Sequence, residues 1–220
     1  MISQGLKDYL YGTIVPLYDS FDSAHRQDHA LTVMQQALKL LADMPEGYAD
    51  VREDILLTAA ACHDLGLQFG RTNHHRDSGK LIREDRKLRC WFSEDEIEII
   101  AQAAEDHRAS GKSAPRSIYG MLVAEADRVI DAETIIRRTV QFGLNNHPEL
   151  ARDAQIERAI AHLREKYGRG GYLKLWIPWS DNSSRLSALQ DIIADEDAIR
   201  AEVERIYSHS IVADGFGERS

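Results

Sequence analysis

The sequence has few of the features that mark secreted or membrane-spanning proteins. Its 220 residues include two cysteines, Cys62 and Cys90, which are too few for a disulfide framework and lack the C-x-x-C spacing of a metal site. No apolar run approaches the ~20 residues needed to cross a bilayer, and no basic segment followed by an apolar core opens the chain. We therefore expect a soluble, cytoplasmic protein whose thiols are reduced.

Positive charge is also scarce. The chain has 27 Lys and Arg residues against 36 Asp and Glu residues, which gives a net charge of −9. Such an acidic chain lacks the broad cationic face that binding to a phosphate backbone needs, so general nucleic-acid binding is not expected. A local cationic pocket is still compatible with this net charge. A hydrophobic content of 43% with 29% charged residues is typical of a globular protein with a core.

Helical periodicity runs through almost the whole chain, with apolar residues recurring at spacings of three and four. Strand-like alternation is otherwise missing, and only the apolar and aromatic stretch 173–179 is compatible with either a short strand or a packed loop. The sequence therefore predicts an all-α fold. The predicted helices cover residues 28–41, 51–62, 93–107, 117–130, 148–166 and 181–208.

The helical pattern changes character after residue 131. We expect a helical core over residues 1–131, including an N-terminal helix, and a helical C-terminal extension over residues 132–220. A seam between them is predicted near residues 132–147. Because no low-complexity or Pro/Ser-rich linker separates the two parts, the extension is expected to pack on the core as a single globular unit.

Four ionisable residues interrupt apolar helical stripes. His63 and Asp64 adjoin each other in AAACHDLGL, His29 lies in an apolar stripe one helix earlier, and Asp127 lies in VAEADRVI. Burying such groups is costly unless they are paired or bound to a metal ion. Imidazole and carboxylate ligands together suit divalent Mn, Fe, Zn, Ni or Mg, so the sequence predicts a shared divalent metal site.

Taken in chain order, as His29, then His63 and Asp64, then Asp127, the four residues resemble the H…HD…D signature of the HD-domain superfamily of metal-dependent phosphohydrolases. The segments AHRQDHALTV, AACHDLG and LVAEADRVID are similar to the opening, central and closing motifs of that family, over residues 20–131. Thr32 replaces the arginine that usually stands three residues after the first ligand. The resemblance implies an HD-domain-like helical bundle.

The resemblance extends to the binuclear members of the family. His74 precedes Ser78-Gly79 at the spacing of their H-x-x-x-[GS]-[AG] ligand motif, and His107 matches the ligand that follows. The implied metal ligands are His29, His63, Asp64, His74, His107 and Asp127, with Asp64 bridging two ions. Two alternatives stay open, namely one metal ion instead of two, and His75 instead of its neighbour His74.

The resemblance implies hydrolysis of a small phosphorylated substrate, with nucleotides among the candidates, through attack of metal-bound hydroxide on phosphorus. We place Asp64, His25, Lys80 and Arg108 in the catalytic set. The cationic candidates for phosphate contacts are His25, Lys80, Arg83, Arg108 and Arg128, and for several of them an exposed or ion-paired structural role is the alternative. Substrate specificity is expected to come from pocket walls at residues 66–73, 110–116 and 172–179.

Two other functions are compatible with the same residues. Some binuclear HD proteins are di-iron oxygenases, and the ligand set is shared with them. A non-catalytic module that binds a metal ion and a nucleotide for regulation is the third possibility. The sequence leaves the substrate, the metal and the oligomeric state open.

Overall fold

The computed structural model describes residues 2–22, 25–48, 50–108, 113–128 and 130–213, with side chains up to residue 211. Across these residues the chain is helical and contains no strand, which confirms the all-α prediction. The α-helices of the described residues are α1 (Gln4–Tyr9), α2 (Gln27–Ala42), α3 (Glu53–Cys62), α4 (His74–Glu84), α5 (Glu94–Asp106), α6 (Ile118–Ala126), α7 (Ala132–Asn146), α8 (Arg152–Tyr167), α9 (Asn182–Ala194) and α10 (Glu196–Ala213). Shorter helical segments are a π-helix at Leu10–Ile14 and 3-10 helices at Val15–Ser20, Leu65–Phe69 and Leu88–Cys90.

The helix starts follow the capping preferences of the sequence. Ser93 and Glu96, at the start of the helix predicted over residues 93–107, form a capping box in which each side chain bonds the backbone of the other residue. Ser117 accepts a hydrogen bond from the backbone N–H of Gly120, and Asp131 accepts one from Thr134. These side chains satisfy backbone donors that a first helical turn leaves without partners.

The chain divides into two compact units. The first comprises Met1–Arg128 and Leu175–Ser180, and the second comprises Val129–Lys174 and Asp181–Ser220. The stretch that the sequence suggests as a seam is largely occupied by α7 of the second unit. A division of the protein between residues 131 and 132 stays a prediction.

The core of the first unit is built around α3. Every residue of α3 from Ile55 to Cys62 is buried, because neighbouring elements cover the helix on all its sides. The N-terminal segment contributes Leu6, Leu10 and Tyr18 to the same core. Ile177 also lies in it with 2% of its surface exposed, although it comes from a segment far along the chain. The first unit is thus completed by residues 175–180.

Three helix predictions, 117–130, 148–166 and 181–208, differ from the structure by more than two residues in their bounds or in continuity. The first of them is α6, which ends at Ala126. The predicted helix 181–208 is two helices, because Asp195 adopts an extended conformation and its side chain accepts hydrogen bonds from Asp197 N and Ala198 N. Helix α8 begins at Arg152, and residues 148–150 form a turn before it. Residues 173–177 form neither a helix nor a strand, so the packed-loop alternative holds there.

None of the described helices is both long enough and apolar enough to cross a membrane.

Candidate metal centre

Six side chains of ligand type meet in the first unit, and each lies at or near a helix end. In chain order they are His29 in the first turn of α2, His63 and Asp64 directly after α3, His74 as the first residue of α4, His107 directly after α5, and Asp127 directly after α6. These helices pack against one another, so their ends converge although the residues are far apart in sequence. They are the six residues named from the sequence.

The first ligand group contains four atoms. His29 Nε2 lies 3.2 Å from His63 Nε2, 3.3 Å from Asp127 Oδ1 and 3.5 Å from Asp64 Oδ2. His63 Nε2 lies 3.3 Å from Asp64 Oδ2 and 3.8 Å from Asp127 Oδ1. The His29 and His63 nitrogens and an Asp64 oxygen thus lie within 4.8 Å of one another, and Asp127 Oδ1 lies close to both nitrogens.

The second ligand group uses the other oxygen of Asp64. Asp64 Oδ1 lies 3.4 Å from His74 Nε2 and 3.3 Å from His107 Nε2, and the two histidine nitrogens are 3.1 Å apart. The Asp64 side chain thus gives one oxygen to each group. The structure brings His74 into this group, whereas the Nδ1 atom of His75 lies 3.4 Å from Arg108 Nη1.

The separations in both groups fit ligands of a single ion. Nitrogen and oxygen ligands bound at about 2.1 Å from a divalent metal are about 3.0–3.4 Å from one another in octahedral and tetrahedral arrangements. Most of the separations listed above fall within or close to that range. The donor set of imidazole and carboxylate groups is one that Mn, Fe, Zn and Ni accept.

The orientation of the histidine rings supports this fit. The Nδ1 atoms of His63 and His74 lie 2.8 Å and 2.7 Å from backbone carbonyl oxygens three residues earlier, and His107 Nδ1 makes the same contact with Ala104 O. Since a carbonyl oxygen only accepts, each Nδ1 is protonated, and in its neutral form each ring directs the Nε2 lone pair inward. The facing Nε2 atoms of His74 and His107 then need a proton or a cation between them. Metal-binding histidines are commonly fixed in this way.

The charges of the centre also favour a cation. Burial raises the pKa of Asp64 and Asp127, but the neighbouring histidines outweigh it and hold both pKa values well below the ordinary value. Burial lowers the pKa of His29, but its hydrogen bonds with the two carboxylates outweigh that effect and raise the pKa to about 9. Similarly, Asp64 outweighs burial and raises the pKa of His107. The carboxylates are therefore ionised and attract positive charge, either as protons on histidine or as metal ions.

Tyr18 is a buried residue near the centre that the sequence reasoning missed. Its hydroxyl donates a hydrogen bond to Ala61 O at 2.8 Å and accepts one from the backbone N–H of Asp64 at 3.2 Å. The ring is completely buried. Tyr18 therefore fixes the backbone turn that carries His63 and Asp64, and no local sequence pattern reveals a contact across 46 residues.

Gly66 allows α4 to approach this turn. A Cβ atom on Gly66 would lie 2.0 Å from the carbonyl oxygen of His74 and 2.6 Å from the backbone nitrogen of Ser78. The buried Ser78 hydroxyl accepts a hydrogen bond from the Gly66 N–H at 2.9 Å. The small residues Gly66 and Ser78 thus have a packing role, because they let His74 come close to Asp64.

Polar residues line the rim of the centre. The ring of His25 lies 5.4 Å from that of His29, and its Nδ1 donates a hydrogen bond to Asp22 Oδ1 at 2.8 Å. Arg71 Nη2 lies 3.3 Å from the other Asp22 oxygen and 3.1 Å from His25 Nδ1. Arg108, which follows His107, donates a hydrogen bond from Nη1 to Thr72 O at 2.7 Å.

The remaining cationic candidates have other surroundings. Lys80 is exposed, with Nζ 4.0 Å from Glu84 Oε1. Arg83 forms a two-point ion pair with Glu98, at 2.7 and 2.9 Å, and a further one with Glu105. Arg128 is buried, and its Nε and Nη1 atoms have no hydrogen-bond partner among the described residues. The contacts of Lys80 and Arg83 are thus with acids outside the two ligand groups.

The first of the three predicted pocket walls is residues 66–73. It contains Arg71, which lies beside Asp22 and His25, and Thr72, whose carbonyl oxygen accepts the hydrogen bond from Arg108. Residues 109–112 lie outside the described residues, so that part of the wall predicted at 110–116 has no structural account. In the third wall, the backbone N–H of Trp176 donates a hydrogen bond to the buried Glu125 at 3.0 Å, and Trp179 Nε1 donates one to Leu40 O at 2.9 Å.

Comparison with known proteins gives one match. The family model described as HD domain matches residues 26–131, a range that includes all six residues of the centre. This match confirms the family resemblance that the motifs indicated. No match was found to a curated protein or to a solved structure. The HD family consists mostly of metal-dependent hydrolases, and its presence here together with the His/Asp clusters suggests divalent metal binding.

Proposed function

Because residues 26–131 match the family model described as HD domain, we propose that this protein is a metal-dependent phosphohydrolase that cleaves a phosphate ester or a nucleotide. The observation that supports the proposal most is the position of Asp64. Its two oxygens belong to two separate groups of ligand atoms, each with the spacing of a single metal ion. We therefore propose that the centre holds two metal ions, which would share this carboxylate.

The ligands divide between the two ions. His29, His63 and Asp127 would hold one ion together with Asp64 Oδ2, and His74 and His107 would hold the other together with Asp64 Oδ1. Divalent ions bound there would supply a water molecule of lowered pKa as the nucleophile, and positive charge opposite the phosphate oxygens. Asp64 is the residue that would hold both ions in this proposal, since no other side chain enters both groups among the described residues.

Side chains at the rim contact the substrate in this proposal. Asp22 orients the ring of His25 by accepting a hydrogen bond from Nδ1, so His25 Nε2 is the nitrogen that approaches a phosphate oxygen or the leaving group. Arg108 supplies positive charge beside the second ligand group and is held there by Thr72 O. A catalytic role for Lys80 stays a prediction from the sequence, and its position beside Glu84 offers no contact that supports it.

The proposal is tested by measuring metal content and phosphate release on the same preparations. We expect the wild-type protein to bind about two divalent ions per chain and to release phosphate from at least one ester in a panel assayed with Mn, Mg, Ni, Fe or Zn. Asp64→Asn keeps the side-chain shape but loses the shared charge, so both metal content and hydrolysis are expected to be lost while circular dichroism shows a folded protein. Full activity of metal-free Asp64→Asn protein would contradict the proposal.

A matched control comes from a histidine outside the centre. His209 lies in the second unit, is exposed, and its Nδ1 bonds Arg205 O, much as the proposed ligands bond a nearby carbonyl oxygen. His209→Ala is therefore expected to retain wild-type metal content and activity. This control separates loss of a ligand from a general effect of removing an imidazole.

A di-iron oxygenase is the second candidate, because two groups bridged by one carboxylate also suit a pair of coupled iron ions. Electron paramagnetic resonance of protein loaded with iron under anaerobic conditions distinguishes the two functions. A mixed-valent signal that responds to substrate favours oxygenation, whereas phosphate release with redox-inactive Mg or Zn favours hydrolysis. A protein that shows neither reaction, but whose melting temperature rises with nucleotide, is a regulatory binding module.

A further inference from the structure

Arg71 is placed at the rim by an ion pair that a ligand can replace. Its side chain is 62% exposed and the side chain of Asp22 is 47% exposed. The single proton on His25 Nδ1 is donated to Asp22, so that nitrogen does not also accept from Arg71, and Asp22 is the charged partner. Exposed ion pairs of this kind contribute little to stability, so Arg71 can exchange Asp22 for another anion at low cost.

Arg71 and Arg108 are both attached to the loop that precedes His74. The carbonyl oxygen of Arg71 accepts a hydrogen bond from His74 Nδ1, and Arg108 donates one to the carbonyl oxygen of Thr72, the next residue in the loop. Arg71 Nη2 lies 3.1 Å from Nδ1 of His25, whose ring lies beside that of His29 in the first ligand group. Arg108 directly follows His107 of the second ligand group. Each guanidinium group is thus attached to residues that lie beside one of the two ligand groups.

The charges of the proposed centre are balanced by a single phosphate. With two divalent ions present, the carboxylates of Asp64 and Asp127 balance half of the added charge, and one phosphate dianion balances the rest. The positive charge of Arg71 and Arg108 is not needed for that phosphate. Asp22 occupies the place of an anionic group beside Arg71 in the substrate-free protein. Guanidinium groups bind phosphate oxygens through two parallel N–H bonds.

From these contacts we infer that the substrate carries a second anionic group next to the phosphate bound by the metal ions, as in a diphosphate, and that Arg71 and Arg108 bind this group. The inference rests on the proposed function, because it takes the two-metal centre as the site of the first phosphate. It assigns Arg71 to substrate selection, and so names one residue of the pocket wall that the sequence predicts at residues 66–73.

The experiment compares two non-hydrolysable probes on the metal-loaded protein. Isothermal titration calorimetry with Mn-loaded protein measures the dissociation constants of methylphosphonate and of methylenediphosphonate, and the metal content is checked after each titration. The wild-type protein is expected to bind the diphosphonate at least about tenfold more tightly, since a charge-assisted hydrogen bond contributes about a factor of ten or more. Arg71→Ala is expected to lose about that factor for the diphosphonate and to bind methylphosphonate within about twofold of wild type.

Two further variants sharpen the test. Arg89 forms an exposed ion pair with Glu94, so Arg89→Ala removes the same charge elsewhere and is expected to leave both dissociation constants unchanged. Arg108→Ala is expected to act like Arg71→Ala. Arg108 also holds the loop through its hydrogen bond to Thr72 O, so its removal can change the site indirectly. The result for the exposed Arg71 therefore decides whether the inference is correct.

The possible results separate this inference from the proposed function. Equal binding of the diphosphonate by wild type and Arg71→Ala overturns the inference, as does an equal loss for both probes or the same loss in Arg89→Ala. If phosphate release is observed and Arg71→Ala shows no selective loss, the proposed hydrolase function is supported and the inference of a second anionic group is wrong. If selective binding is observed without any hydrolysis, the site binds such anions and the proposed reaction is wrong.

Discussion

The hydroxyl of Tyr18 accepts a hydrogen bond from the backbone N–H of Asp64 at 3.2 Å and donates one to Ala61 O at 2.8 Å. One buried side chain from the N-terminal segment thereby closes the turn that carries two proposed ligands. Residue 18 precedes the range matched by the family model. The centre therefore depends on a part of the chain outside that range.

Tyr18→Phe tests this dependence. The substitution removes one hydroxyl and leaves the Ala61 carbonyl and the Asp64 N–H without their partner, which is expected to cost about 1–3 kcal/mol of unfolding free energy. Denaturant unfolding of the metal-free protein measures this loss, and metal affinity is expected to fall with it. Tyr11→Phe is the control, because that side chain is 47% exposed. Unchanged stability and metal affinity of Tyr18→Phe would show that the turn holds without the hydroxyl.

His74 and His75 offer a comparison of adjacent residues. Only the Nε2 atom of His74 lies with Asp64 and His107, so His74→Ala is expected to lower the metal content from about two ions per chain to about one. His75→Ala is expected to retain both ions, since its ring nitrogen faces Arg108 instead. Elemental analysis after dialysis provides the measurement. The reverse result would mean that His75 is the ligand.

Ile177 tests whether residues 175–180 stabilise the first unit. Its side chain is 2% exposed and lies in the core of that unit. Ile177→Ala removes buried methyl and methylene groups and is expected to lower the unfolding free energy by about 2–5 kcal/mol. Leu17→Ala, at a position 46% exposed, is expected to change it by less than about 0.5 kcal/mol. Similar small effects of both substitutions in denaturant unfolding would contradict the packing role of Ile177.

The ion pair between Arg83 and Glu98 predicts a dependence of stability on pH. Hydrogen bonding to Arg83 lowers the pKa of Glu98 to about 2, below the ordinary value of 4.5. The folded state thus favours the ionised carboxylate, so the stabilisation is present above about pH 4.5 and is lost as the pH falls towards 2. Since Glu98 is 44% exposed, the contribution is expected to stay below about 1 kcal/mol.

Glu98→Gln provides the measurement for this pair. The difference in unfolding free energy between wild type and Glu98→Gln, measured with urea on metal-free protein, is expected to be constant from pH 6 to about pH 4.5 and to shrink from there to pH 3. Asp153→Asn, at an acid that is 92% exposed, is the control for general charge effects. A difference that is the same at both ends of this pH range would contradict the assignment.

The outcome for individual residues shows which inferences need only local information. The capping box of Ser93 and Glu96 was predictable because its partners are three residues apart. The helix break at Asp195 was missed, since an acidic residue in an amphipathic pattern is equally compatible with an exposed helical position. Arg83 was a candidate for phosphate contacts, but its partner Glu98 lies on another helix, and sequence spacing contains no information on that approach.

By itself, the sequence determined that the chain is helical and that six ligand-type residues occur in the order typical of HD domains, because periodicity and residue type are local properties. Only the tertiary structure decided that His74 rather than His75 meets Asp64, that the two Asp64 oxygens enter different groups, and that Ile177 completes the core of the first unit. These relationships depend on how closely helices pack and on how far each helix is rotated about its axis. Both are fixed by contacts between residues that are distant in sequence.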